Sequence, residues 1–275
     1  MNIKSVKSFP GGDGPNRRKG IYLLPNLLTT TALFAGFYAV VAAIDGNFGA
    51  AAIAIYVALV FDGLDGRVAR LTNTASDFGK EYDSLSDMVS FGLAPALVMY
   101  QWGVARIAEY GWIWGKLGWI AAFFYSVAAA LRLARFNTVV AQDKHYFSGL
   151  PSPSAAGLVA GMVWYCTEWE LTGLGALALA FAVAALAGGL MVSNIKYLSI
   201  KHLKLGEKVP FAYLLIIPLT FMLIAIDPPI VLFSLFLSYA ASGPITRLFR
   251  KIRLAWSKRG KTQTRDDDDH GSTAA

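Results

Sequence analysis

The sequence predicts an all-α membrane protein, a polytopic bundle of about eight transmembrane helices. Of its 275 residues, 55% are hydrophobic and only 16% are charged, whereas about a quarter of the residues in a soluble domain carry charge. Apolar windows of about 20 residues, the length a helix needs to cross a hydrocarbon core of about 30 Å, also recur along the chain. Together these observations exclude a soluble domain with a single core.

Eight such windows follow one another along the chain. They cover approximately residues 26–45, 49–71, 86–105, 117–136, 152–169, 173–193, 210–227 and 229–246. The stretch "GLPSPS" at 149–154 predicts a break before the fifth window, because proline cannot continue a helix.

Polar segments flank these windows at both ends. Residues 1–20 are rich in glycine and charge and lack the apolar core of a secretory signal peptide, so they predict a flexible cytoplasmic arm. Residues 21–248 then form the transmembrane domain. Residues 249–275 are first basic and then acidic, ending in "KTQTRDDDDHGSTAA", which predicts a disordered cytoplasmic tail.

The distribution of positive charge predicts the orientation of the bundle. With both termini on the cytoplasmic side, all but two of the 25 lysines and arginines lie on that side, the exceptions being Arg106 and Lys116. The net charge of +7 then belongs to one face, opposite anionic lipid headgroups. No soluble module with interleaved aromatic residues accompanies the charge, so a nucleic acid is not an expected partner.

The stretch "DGLDGRVARLTNTASDFGKEYDSLSD", residues 62–87, lies between the second and third windows and contains five aspartates, four of which form two closely spaced pairs. Asp62 and Asp65 are three residues apart and Asp83 and Asp87 are four apart, so each pair shares one face of a helix. If the intervening stretch reverses the chain, the four carboxylates converge. Converged carboxylates need a counter-charge, and oxygen ligands favour Mg²⁺ or Mn²⁺.

Small and basic residues accompany these aspartates. Gly66, Ala69 and Gly79 allow a bulky nucleotide to approach the backbone closely. Arg70 is suited to binding a phosphate group. The segment therefore predicts a site for a metal ion and a phosphorylated ligand.

This pattern resembles the signature of the CDP-alcohol phosphatidyltransferases, D-x2-D-G-x2-A-R-x8-G-x3-D-x3-D. Every fixed position is matched, by Asp62, Asp65, Gly66, Ala69, Arg70, Gly79, Asp83 and Asp87. The resemblance implies a six-helix core, usually dimeric, that transfers a phosphatidyl or similar group from a CDP-linked donor to an alcohol.

The same resemblance implies roles for individual residues. Asp62, Asp65 and Asp83 are expected to bind Mg²⁺ or Mn²⁺, with Asp87 as general base and further ligand. Donor-binding residues are expected at Gly66, Ala69, Arg70 and Gly79. The first window's "PNLLT" resembles the family's opening and suggests that Asn26 and Thr29 approach the nucleotide.

The aspartate motif leaves the acceptor open among serine, glycerol 3-phosphate, inositol phosphate, choline and another lipid. Four further segments resemble the bacterial membrane-embedded branch of the family that uses serine: "ALRLARFN" (130–137), "FSGLPSPSAAG" (147–157), "LMVSNIKYLSIK" (190–201) and "SYAASGP" (238–244). This resemblance implies an enzyme that uses CDP-diacylglycerol and L-serine. It also implies a homodimer in the bacterial inner membrane, with the active site on the cytoplasmic side.

Two arginines near the inner end of the fourth window are candidates for the acceptor site. Arg132 and Arg135 can bind either the serine carboxylate or the donor's diphosphate, because guanidinium groups match both. The alternative is that they only anchor the helix at the interface. An ion-coupled carrier is the competing class of function, but the aspartates lie at inner helix ends and no inverted repeat is visible.

Overall fold

The computed structural model describes residues 23–107, 111–138, 146–171, 173–198 and 211–271, which are almost entirely helical. The helices are α1 (Leu23–Ile44), α2 (Phe48–Leu71), α3 (Asp77–Asp87), α4 (Ala94–Ile107), α5 (Trp112–Thr138), α6 (Ser152–Glu168), α7 (Leu174–Val192), α8 (Phe211–Ile226) and α9 (Pro228–Gly271). Two short strands, β1 (Tyr146–Ser148) and β2 (Lys196–Leu198), pair antiparallel. The arm predicted at residues 1–20 lies outside the described residues.

The eight apolar windows coincide with helices, the third of them with the end of α3 and with α4. Among the described residues, five helical stretches are long and apolar enough to cross a membrane: α1, α2, Lys116–Thr138 of α5, α7 and Pro228–Arg250 of α9. These findings confirm the prediction of an all-α membrane bundle. The backbone of α9 continues as a helix to Gly271, and the boundary at 248/249 stays a prediction.

The α1 and α2 helices pack against each other along their length. Their buried faces consist mainly of alanine, such as Ala35 and Ala39 on α1 and Ala51 and Ala58 on α2. Small side chains allow two helix backbones to approach closely in a membrane. This packing holds the end of α2 that carries the aspartates against the beginning of α1.

The chain reverses between α2 and α3, which meets the condition for the carboxylates to converge. Asn73 adopts a left-handed backbone with φ of 52° in this turn, a conformation that asparagine tolerates better than most residues. The Ser76 side chain then caps α3 by accepting a hydrogen bond of 3.0 Å from the Gly79 N–H. Therefore α3 runs back alongside α1.

The α3 helix continues into α4 through a π-helical turn, Met88–Leu93. Two buried serines fix this region to α1. Ser86 donates a hydrogen bond of 3.2 Å to the Thr29 carbonyl, and Ser90 donates one of 3.1 Å to the Ala32 carbonyl. Asp83 and Asp87 are therefore held at a fixed position along the axis of α1.

The second half of the bundle begins at the predicted break. Gly149 has φ of +82°, and Pro151 is the residue immediately before α6. The α6 helix is largely buried and packs against α2, α4, α7 and α9. The β2 strand contacts α9, where the buried Tyr197 donates a hydrogen bond of 2.9 Å to the Ala240 carbonyl.

Candidate active site

Three of the four motif aspartates converge. Asp62 of α2 and Asp83 and Asp87 of α3 each offer a carboxylate oxygen, and the three oxygens lie within 4.8 Å of one another. Opposite ligands of an octahedral Mg²⁺ ion are about 4 Å apart, given bond lengths of about 2.1 Å. The donor set and its spacing thus fit a hard divalent cation.

Asp65, the fourth aspartate, has a different environment. Its side chain is buried and accepts a hydrogen bond of 2.7 Å from the Thr29 hydroxyl of α1. It lies outside the group of three, but it lines the neighbouring pocket together with Asp83. Its expected role as a metal ligand stays a prediction.

That pocket, of about 240 Å³, lies where α1, α2 and α3 meet. All six residues expected to bind the donor line it: Asn26, Thr29, Gly66, Ala69, Arg70 and Gly79. A Cβ atom added at Gly66 would have no other atom within 4 Å, so the pocket is open at that position. The pocket and the carboxylates share Asp83, which joins them into one site.

Five residues of the pocket wall were not predicted from the motif: Pro25, Thr74, Ala75, Ser76 and Lys80. Most of them belong to the turn between α2 and α3 and to the first turn of α3. A turn that joins two helices of one site lies next to that site. Its position in the sequence was therefore the signal that could have identified these residues. Lys80 adds a second cation to the pocket beside Arg70.

The two candidate arginines of α5 differ in position. The Arg132 guanidinium is partly buried, its Nη1 donates a hydrogen bond of 2.7 Å to Ser152 Oγ, and it interacts electrostatically with Asp87. Arg135 is exposed on the helix surface. The structure therefore shows an interaction of Arg132 with a motif carboxylate, whereas Arg135 is exposed.

Comparison with known sequences identifies the family. The sequence profile of the CDP-alcohol phosphatidyltransferase family matches residues 22–193. The chain belongs to this family. Its members are transferases, which decides between a transferase and an ion-coupled carrier in favour of the transferase.

Named relatives of this CDP-alcohol phosphatidyltransferase family member come from bacteria and archaea. A CDP-diacylglycerol–serine O-phosphatidyltransferase of Helicobacter pylori is 35% identical over 240 residues, which are 86% of this chain and 96% of the relative. One of Mycobacterium bovis is 37% identical over 175 residues, 58% of each chain. An archaetidylserine synthase of Methanothermobacter thermautotrophicus is 35% identical over 200 residues, 72% of this chain and 73% of the relative.

The region that matches the family ends shortly after α7, at residue 193. It contains the aspartates, the neighbouring pocket and Arg132. The β2 strand and the α8 and α9 helices lie beyond it. Any contact that these later elements make with the site is therefore an addition to the part that the family shares.

Proposed function

We propose that the protein transfers the phosphatidyl group of CDP-diacylglycerol to the hydroxyl of L-serine, giving phosphatidylserine and CMP. The observation that carries this proposal is the group of three carboxylates beside a pocket lined by all six expected donor-binding residues. The relatives named for serine transfer support the choice of acceptor.

Each part of the site has a task in this reaction. Asp62, Asp83 and Asp87 would hold a divalent ion, Mg²⁺ or Mn²⁺, with Asp65 as a further predicted ligand. When bound, such an ion neutralises charge on the transferring phosphoryl group. Arg70 and Lys80 supply positive charge for the donor's diphosphate.

The transfer is a direct displacement. The serine hydroxyl oxygen forms a bond to the β-phosphorus of the donor, the bond from that phosphorus to the CMP oxygen breaks, and CMP leaves with the bonding electrons. Asp87 takes the hydroxyl proton as general base, because a neutral alcohol is a poor nucleophile. Holding donor and acceptor at one site provides the required orientation.

The proposal includes the setting of the enzyme. The positive charge of the inner segments favours a multi-pass protein with both termini and the active site on the cytoplasmic side. The family resemblance favours the bacterial inner membrane. Soluble L-serine and CMP would then exchange directly with the cytoplasm. The family resemblance favours a homodimer.

The test is release of CMP by the purified full-length protein from CDP-diacylglycerol, across a panel of acceptors. We expect L-serine to give the highest kcat/KM, with glycerol 3-phosphate and inositol phosphate poor acceptors. A higher kcat/KM for glycerol 3-phosphate would overturn the serine assignment and retain phosphatidyl transfer. Absence of CMP release with every acceptor would overturn both.

A further inference from the structure

Arg132 has the surroundings of an anion-binding residue. Its Nη1 is engaged by Ser152, a fully buried residue at the start of α6. Its Nε is buried and has no hydrogen-bond partner among the described residues. A buried donor without an acceptor costs free energy, and in a native protein it calls for an explanation such as a bound group.

The geometry of the guanidinium identifies which anion fits. The hydrogen bond to Ser152 orients the group through Nη1, on one side of the fork. The opposite edge, formed by Nε and Nη2, is an edge to which carboxylates bind with two parallel hydrogen bonds. The orphaned atom belongs to that edge.

A tyrosine from the last helix interacts with the same guanidinium. Tyr239 of α9 is partly buried and interacts electrostatically with the Arg132 guanidinium. Its ring packs against the buried Tyr197 of β2, with ring centroids 5.7 Å apart. Both tyrosines lie beyond the region that matches the family. An element outside the shared region thus contributes to the surroundings of Arg132.

We propose that Arg132, Ser152 and Tyr239 form the subsite that binds the carboxylate of the acceptor, and that Tyr239 is a specificity-determining residue for carboxylate-bearing alcohols. This inference rests on the proposed function and deepens it. Members of one family share donor chemistry, so residues that select the acceptor are expected where an element outside the shared region meets the site.

The position of the subsite suits the proposed reaction. Arg132 interacts electrostatically with Asp87, the proposed base, as well as with Tyr239. In serine the carboxylate and the hydroxyl are separated by only two carbon atoms. An acceptor held by its carboxylate at Arg132 can therefore place its hydroxyl near Asp87.

Two other roles of Arg132 predict different behaviour. If Arg132 only balances the charge of Asp87, its loss lowers kcat for every acceptor alike. If it binds the donor's diphosphate, its loss raises KM for CDP-diacylglycerol. A carboxylate subsite alone predicts an effect confined to acceptors that carry a carboxylate.

The experiment compares L-serine with ethanolamine, which is serine without its carboxylate, as acceptors for the full-length protein. Tyr239→Phe removes only the hydroxyl. We expect it to raise KM for L-serine about tenfold, the effect of losing one hydrogen bond to a charged group. KM for CDP-diacylglycerol should stay within about twofold of the wild-type value, and the preference for serine over ethanolamine should fall.

Tyr197→Phe is the matched control, because it makes the same change in the stacked partner. It removes the hydrogen bond to the Ala240 carbonyl, so we expect lower thermal stability with an unchanged preference for serine. Arg132→Lys is the second variant. It keeps the positive charge but loses the planar fork, and it should reduce the preference for serine more than Tyr239→Phe does.

The outcomes separate this inference from the proposed function. If the wild-type protein makes phosphatidylserine and both variants keep its serine preference, the subsite is wrong and the proposed function stands. If the variants raise KM for CDP-diacylglycerol instead, Arg132 belongs to the donor site. If the wild-type protein does not use serine, the proposed function fails first.

Discussion

The aspartates of the motif occupy two environments although they belong to one sequence pattern. Asp62, Asp83 and Asp87 face one another, whereas Asp65 accepts a hydrogen bond from Thr29 of α1. Like charges at this distance repel strongly unless a cation or a proton lies between them. The group of three is therefore where a bound metal ion would contribute most to the free energy of the site.

Removing the metal should abolish activity. We expect chelation to stop CMP release and added Mg²⁺ or Mn²⁺ to restore it. Asp62→Asn and Asp83→Asn should each lower kcat at least about 100-fold, because charge stabilisation of a transferring phosphoryl group is worth that much or more. Asp45→Asn is the control, since Asp45 is an exposed carboxylate outside the site. Full turnover after exhaustive chelation would contradict the metal role.

Replacing Asp87 tests its role as general base. Asp87→Asn keeps the shape of the side chain but cannot accept the proton of the acceptor hydroxyl. We expect transfer to be abolished while CDP-diacylglycerol binding, measured without acceptor, is largely kept. A parallel loss of donor binding would point to a role as metal ligand. Substantial turnover with unchanged donor binding would remove Asp87 from the mechanism.

Sequence spacing predicts site residues well where the relevant geometry is local. Asp83 and Asp87 must share a face because they are one turn apart on one helix. The contact of Asp65 with Thr29 depends on how α1 packs against α2, and the difference between Arg132 and Arg135 depends on where α6 begins. Neither feature follows from the spacing of residues within one helix, so the sequence alone did not predict either of them.

At the scale of elements, close packing between α1 and the π turn fixes the position of the α3 aspartates along α1. A Cβ atom added at Gly36 would lie 2.5 Å from Ser90 Oγ and 2.7 Å from Ser90 Cα. The second of these atoms is backbone, so the clash is not relieved by a side-chain rotation. Only glycine lets α1 approach the turn that follows Asp87.

Gly36→Ala should therefore destabilise the protein. We expect a loss of roughly 1–3 kcal/mol in unfolding free energy, typical of overpacking, seen as a lower Tm in detergent. Gly49→Ala is the matched control, because a Cβ there has no other atom within 4 Å. Alanine favours helix over glycine, so this control should be neutral or slightly stabilising. Equal Tm values for the two variants would show that the contact does not limit stability.

Two elements were not predicted from the sequence. The π turn at Met88–Leu93 adds one residue to a helical turn, and an apolar window is insensitive to such an insertion. The pairing of β1 with β2 joins segments almost 50 residues apart, each only three residues long. Hydrophobic patterns report which face of a segment is buried, but not which distant segment it meets.

At the scale of the whole molecule, the family-matched region and the later helices contribute differently. Residues 22–193 contain the aspartates and the pocket beside them, the proposed donor site. The α9 helix packs on α6 and β2 and brings Tyr239 toward Arg132. Under the proposed carboxylate subsite, the donor site can stay constant while the acceptor site changes with α9.

The number of membrane crossings has a direct test, because it decides on which side the C-terminal end of α9 lies. If all eight predicted windows cross and the N-terminus is cytoplasmic as predicted, six crossings separate Asp77 from Arg253, so both are cytoplasmic and Asp45 is outside. If only the five longest apolar helices cross, three crossings separate Asp77 from Arg253, and the two residues lie on opposite sides.

Cysteines placed singly at these exposed positions can be labelled with a membrane-impermeant thiol reagent. The native Cys166 is buried and should give little background. We expect Asp45→Cys to react in intact cells, and Asp77→Cys and Arg253→Cys to react only after the membrane is opened. Labelling of Arg253→Cys in intact cells, with Asp77→Cys protected, would instead support five crossings.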